Sequence, residues 1–340
     1  MNPTADEDTN QTVAMDDHED AFPELSRRRF LQHSVVAGAG VALAVGGLSH
    51  ALPAHAKQAV HGNSHNTAPN QFIEANGTRY AYRKFGKTTG TPVVFIQHFR
   101  GTMDDWDPAV TDGLGEHFPV VLFDNVGIGL SSGKTPDNFP EVAKDAAAFI
   151  DALGLKKVHL LGFSIGGFVA QLILLDRPEL IDRAILAGTG PQGGEGMQTY
   201  TPEVLAAATR YPLDGTERPF LFFTQSEAGQ KAAKEFLARV HQRKVDPDKA
   251  STIQTMQAQG NASGLWGKQD NAAYNERLGA IKHPVLVANG YSDLMIPSIN
   301  AYSLARHIPN AQLIMYPDAG HGALFQYHDL FVKHATLFLT

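Results

Sequence analysis

Val158-His159-Leu160-Leu161-Gly162-Phe163-Ser164-Ile165-Gly166-Gly167 joins a short apolar run to an apolar helical stretch through a serine set between glycines. The run before Gly162 reads as a strand buried on both faces, and Gly167 to Leu175 reads as the helix that follows it. The G-x-S-x-G spacing in a strand–turn–helix setting suits a nucleophilic serine. A tight turn holds such a serine in a strained backbone conformation, and side chains at Gly162 or Gly166 would strike the neighbouring strand and helix. The Ser164 oxygen then stands above the sheet, and the Ile165 amide, at the positive end of the helix, is placed to stabilise an oxyanion. A glycine-rich turn with a capping serine gives the same five letters, so the flanking elements carry the reading.

Outward from this turn, short apolar runs alternate with helical stretches from residue 71 onward, the pattern of a mostly parallel sheet with helices on both faces. Strands are expected at Arg79 to Phe85, Val93 to Gln97, Val120 to Phe123, Lys157 to Leu161, Arg183 to Ala187, Val285 to Ala288 and Gln312 to Tyr316. Helices are expected at Val142 to Leu153 and over the tail, Leu324 to Leu339. Between residues 190 and 283 the alternation stops. That segment reads as helices at Pro202 to Thr209, Ser226 to Gln242 and Lys249 to Gln259, hence a helical cap inserted into a core of residues 71–189 and 284–340. Phe220, Leu221, Phe222, Phe223, Met256, Leu265 and Trp266 make it apolar enough to cover the serine, although most of these side chains would serve to fix the cap to the core.

A nucleophilic serine needs a base and an acid to orient that base, and in a strand–elbow–helix sheet they follow the serine in the order acid, then histidine. Asp293 lies in Asn289-Gly290-Tyr291-Ser292-Asp293-Leu294, just past the strand ending at Ala288. His321 lies in Pro317-Asp318-Ala319-Gly320-His321-Gly322, past the next strand, where it could take the Ser164 proton and return it to a leaving group. Asp318 is a rival acid on the same loop as His321, and the position of Asp293 after its own strand favours Asp293.

With these residues in place, the chain resembles the α/β-hydrolase superfamily over residues 71 to 340, most closely its cofactor-free esterases, perhydrolase-type haloperoxidases and capped C–C bond hydrolases. Phe123-Asp124-Asn125-Val126-Gly127-Ile128-Gly129-Leu130-Ser131 matches the D-x-x-G-x-G-x-S loop of that superfamily, with a phosphate-binding loop as its rival reading. The resemblance implies an eight-stranded, mostly parallel sheet, no cofactor and no metal. It departs after the third strand, where His-Gly is usual and Gln97-His98-Phe99-Arg100-Gly101 stands. That register gives the Phe99 amide, beside Ile165, the second oxyanion contact, and makes His98 and Arg100 either mouth residues or structural hydrogen-bonding groups. Serine at the elbow argues against dehalogenase and epoxide hydrolase chemistry, which need a carboxylate nucleophile. Acyl transfer to water is the expected activity, on a small, mainly apolar ester, lactone or related substrate. The alternatives are perhydrolase or C–C hydrolase activity, or a binding protein on a hydrolase scaffold.

Upstream, Ser26-Arg27-Arg28-Arg29-Phe30-Leu31-Gln32, the apolar run Val35 to Leu48 and Ala54-His55-Ala56 follow the order of a signal peptide, and the Ser-Arg-Arg-x-Phe-Leu core resembles the twin-arginine export signal. Residues 1–56 are therefore expected to be removed after Ala56, sending the mature chain to the periplasm or outside the cell without a stable membrane span. Residues 57–70 read as a flexible linker, and His55, His61 and His65 as a weak candidate for a metal tract. The first 56 residues hold eight of the 35 acids and three of the 28 bases, so the body of the chain is nearly neutral and has no electrostatic footprint for nucleic acid. With no cysteine, disulfides and thiolate chemistry are excluded.

Overall fold

Eight strands carry the alternation seen in the sequence: β1 (Gln71–Ala75), β2 (Thr78–Gly86), β3 (Val93–Ile96), β4 (Pro119–Phe123), β5 (Val158–Phe163), β6 (Ile181–Ala187), β7 (Val285–Gly290) and β8 (Ala311–Tyr316). They form one sheet in the order β1-β2-β4-β3-β5-β6-β7-β8. β1 pairs antiparallel with β2, and β2 with β4; all later pairs are parallel. The computed structural model describes residues 64–340, so the signal-type segment, the expected cleavage point and residues 57–63 lie outside the described residues.

Because strand side chains alternate between faces, Val94 and Ile96 of β3 enter one apolar layer while Val93 and Phe95 enter the other. In the chain, α1 (Pro108–Gly115) precedes β4, α2 (Phe139–Ala152) precedes β5 and α3 (Ile165–Asp176) follows it. Five helices separate β6 from β7: α4 (Pro202–Ala208), α5 (Glu217–Phe222), α6 (Glu227–Val240), α7 (Ile253–Gly267) and α8 (Asn271–Leu278). The core is completed by α9 (Ile299–His307), α10 (Ala323–Gln326) and α11 (His328–Leu339). One layer takes buried residues of α2, α3, α8 and α9; the other takes those of α1, α6, α10 and α11.

β6 and β7 are neighbours in the sheet, so the chain leaves for almost a hundred residues and returns to the adjacent position. The inserted helices do not form a core of their own. Trp266 of α7 stacks on Phe168 of α3 at 4.6 Å, while Phe236 of α6 stacks on Phe325 of α10 at 4.8 Å. The insertion is thereby fixed to both layers. Its boundaries also differ from the sequence reading. α5 and α8 are additional helices, and α7 starts at Ile253 and runs to Gly267 rather than from Lys249 to Gln259.

Residues 64–70 are not a flexible linker. His65 and Ala68 are buried, and Arg243, beyond α6, donates to the carbonyls of His65, Asn66 and Ala68. The adjoining Arg83 on β2 is fully buried; it donates to Asp104 at 2.5 Å, Asp248 at 3.0 Å and Asn70 at 2.7 Å. One arginine thus ties the lead-in, the sheet and the insertion together. Removal of either partner of such a buried pair leaves an uncompensated charge, which makes the arrangement structurally obligatory whatever its net energy.

His65 packs edge-on to Phe85, its Nδ1 lies 2.9 Å from Thr111 Oγ1, and burial, followed by Arg83 and Arg243, pulls its pKa down to about 3. The unfolded chain therefore binds this proton first. Stability contributed by the neutral ring is complete above the unfolded value near 6.5 and declines as pH falls towards 3, by about 1.4 kcal/mol per pH unit. Urea unfolding at pH 7 and pH 5 should show this loss in the wild type and a shallower one in His65→Gln; equal slopes would contradict it.

Candidate active site

Ser164 occupies a turn between β5 and α3 with φ 59° and ψ −122°, a positive φ that an L-residue adopts only when its surroundings impose it. Two backbone hydrogen bonds fix the turn: Ser164 N donates to Ala187 O at 2.9 Å, and Gly167 N donates to Ser164 O at 2.9 Å. A Cβ on Gly162 would collide with the Gly166 carbonyl in α3, and one on Gly166 would collide with the Ile96 carbonyl of β3. Both collisions agree with the sequence reading of these two glycines. Glycine lets the first turn of α3 lie directly against the sheet and delivers Ser164 to its edge.

Asp293 follows β7 and His321 follows β8, adjacent parallel strands, which brings the two loops together. His321 Nδ1 donates to Asp293 Oδ2 at 2.8 Å, with both side chains buried. A carboxylate can only accept, so this contact places hydrogen on Nδ1 and leaves Nε2 as the basic nitrogen. Asp293 Oδ1 accepts from the Met295 and Ile296 amides at 2.8 and 2.9 Å. Every direction of the carboxylate is thus held. His321 and Ser164 line the same cavity. Asp318, the rival acid, faces elsewhere: its oxygens accept from Thr224 Oγ1 at 2.9 Å and Ser226 Oγ at 2.7 Å.

After β3, three of four successive amides are occupied. His98 N donates to Gln97 Oε1, Arg100 N to Gln259 Oε1 and Gly101 N to His98 O. Among the described residues the Phe99 amide has no such partner, nor does that of Ile165 at the start of α3. Both flank Ser164: Phe99 and Ile165 line one cavity with it. Two free amides beside a serine hydroxyl are the arrangement that can receive the negative charge of a tetrahedral intermediate.

His98 and Arg100 do not pair with each other. Arg100, at φ 62°, donates from Nη1 to the Arg210 carbonyl at 2.7 Å and from Nε to Ser251 Oγ at 3.3 Å. Its guanidinium therefore straps the inserted segment to the loop after β3, a role sequence reasoning left open. His98 lies edge-on between Phe163 and Phe222. Its Nδ1 donates to the Phe99 carbonyl at 2.9 Å, burial lowers its pKa to about 4, and its Nε2 is a buried acceptor without a partner among the described residues.

The Gly127-x-Gly129 loop offers no cradle for phosphate. Asp124 fills it, its oxygens accepting from Met103 N at 2.9 Å and Leu130 N at 2.8 Å, and a Cβ on Gly129 would collide with that carboxylate. The loop is a structural knot, and the carboxyl group it encloses is its own.

Residues 91–326 match the family described as alpha/beta hydrolase fold. A solved alpha/beta hydrolase fold protein from Chitinophaga pinensis is 42% identical, with a TM-score of 0.77, over 82% of this chain and 99% of its own. The 2-hydroxy-6-oxo-6-phenylhexa-2,4-dienoate hydrolase of Burkholderia cepacia is 28% identical over 233 residues, 65% of this chain and 77% of that one. The enol-lactonase of Burkholderia xenovorans LB400 shares the fold at a TM-score of 0.63 and 22% identity, over 79% of this chain and 99% of its own.

Proposed function

The chain belongs to the alpha/beta hydrolase fold family, and we propose that it is a serine hydrolase that cleaves a small, mainly apolar ester, lactone or related acyl compound through an acyl-enzyme on Ser164. The observation that carries this reading is the buried Asp293–His321 pair opening onto the cavity that holds Ser164. In the first step Ser164 Oγ bonds to the carbonyl carbon while its proton passes to His321 Nε2. The carbonyl oxygen becomes an oxyanion between the Phe99 and Ile165 amides. Collapse breaks the bond to the leaving group, which takes the proton from His321; water then repeats the sequence and frees the acid. Asp293 holds the ring and stabilises the imidazolium without taking the proton.

A different hydrolytic outcome on the same three residues, carbon–carbon bond cleavage, has support in the similarity to the B. cepacia hydrolase. It would use Ser164 and His321 as above, with a carbanion equivalent as leaving group. A binding protein on this scaffold would not need a strained serine beside two free amides, and strain of this kind costs about 1–3 kcal/mol.

With a series of short-chain esters and lactones, the protein should turn over at least one member. Ser164→Ala should lose most of the rate, at least about a thousandfold, and Asp293→Asn about 10⁴-fold in kcat, since the neutral amide presents the wrong tautomer. Turnover that survives in Ser164→Ala would refute the assignment. We also propose that the precursor leaves the cytoplasm by the twin-arginine route as a folded protein. Mass analysis of the exported chain should give Lys57 as its first residue, and Arg27→Lys with Arg28→Lys should retain the precursor inside; export undiminished by that pair would contradict it.

A further inference from the structure

Two cavities meet at Ser164. The smaller, about 50 Å³, is lined by His98, Arg100, Glu217, Arg218 and His321 among others. The larger, about 280 Å³, is lined by Ile165, Phe168, Tyr200, Leu205, Gly260 and Gly264 among others. Phe99, Ser164 and Met295 line both, so the nucleophile sits at the constriction between them. The smaller has room for only about three to five water-sized groups. The larger approaches the lower end of ordinary ligand pockets.

The position of the base decides what goes where. A leaving group must come within hydrogen-bond reach of His321 to take its proton, and His321 lines the smaller cavity and not the larger. Ile165 lines the larger cavity and not the smaller, while Phe99 stands between the two. On the reading of Ser164 as an acylated nucleophile, we propose that the substrate is divided unequally: a bulky apolar acyl group fills the larger cavity along α7, and a leaving group no larger than a short alcohol fills the smaller one.

The two compartments differ in size, and both are mainly apolar. The smaller wall carries Glu217, Arg100 and Arg218, the last paired with Asp105 at 2.5 Å, beside the apolar Leu221, Phe222 and Met295. In the larger cavity, Gly260 and Gly264 stand one turn apart on α7, and a Cβ at either would meet nothing within 4 Å. Glycine inside a helix costs about 1 kcal/mol each relative to alanine, so α7 gives up helix stability at the two positions where a side chain would enter the acyl space. Gly264, half-buried, is the deeper of the two; Gly260 is exposed at the mouth. These glycines set the acyl length the enzyme accepts.

The test is the hydrolysis of two esters with the long chain on opposite sides of the carbonyl, methyl octanoate and octyl acetate, by the full mature chain, followed by proton release. Wild type should prefer methyl octanoate by at least about tenfold in kcat/KM, the effect of a methylene or two placed in or out of an apolar pocket. Gly264→Leu should lower the methyl octanoate to methyl butanoate ratio about tenfold. Gly264→Ala, which meets no neighbour and favours the helix, should lower it less while melting no earlier than wild type. Leu265→Ala, on the exposed side of the same turn, should leave the ratio unchanged. A preference for octyl acetate, or a ratio indifferent to both Gly264 variants, overturns the division of the substrate while leaving the serine hydrolase reading intact. Failure of Ser164 to hydrolyse any of these esters or to react with a fluorophosphonate overturns both.

Discussion

The closeness of α3 to the sheet is the constraint on which the site depends. Gly162 packs against Gly166, and Gly166 against the Ile96 carbonyl, with no room for a methyl group at either contact. That approach forces Ser164 into positive φ, and the strain of about 1–3 kcal/mol is borne by a strand and a helix that are buried almost completely. The return is positional. Ser164 cannot relax away from the edge of the sheet without separating α3 from β3, so its side chain is preorganised by the core itself.

The remaining groups reach the serine through the parallel order of the strands. Loops after β3, β5, β7 and β8 emerge at the same carboxyl edge, which brings Phe99, Ser164, Asp293 and His321 together from positions more than two hundred residues apart. The inserted helices then close the edge. Arg100 reaches from the loop after β3 to Arg210 and Ser251, and Asp318 from the loop after β8 to Thr224 and Ser226. Two residues that sequence reasoning set beside the chemistry, one as a mouth residue and one as a rival acid, are fasteners for the segment that covers it.

What the sequence made legible was what short-range physics determines. The elbow, its flanking strand and helix, and the seven more apolar strands follow from local pattern. β1 did not stand out because Gln71-Phe72-Ile73-Glu74-Ala75 is a half-exposed edge strand with no buried apolar run. α1 was hidden by its length of eight residues and its internal glycines, and α5 by its length of six. The tail, whose period predicts one helix, is two, divided at Tyr327. The composition of residues 64–70 predicts flexibility because their partners, above all Arg243, lie about 180 positions away. No local signal reports such a contact. The fixing role of Arg100 was hidden for the same reason, whereas the Asp293–His321 pairing could be read because each follows its own recognisable strand.

The central claim is that strain and close packing at one turn make Ser164, among all serines of the chain, the reactive one. Its most direct test is to treat the native protein with a small fluorophosphonate, digest it and locate the adduct by mass spectrometry. The account predicts one adduct per chain, on the peptide containing Ser164, lost when the protein is first unfolded in urea. A native protein that stays unlabelled at Ser164, or carries the adduct on another serine while still hydrolysing esters, would contradict it.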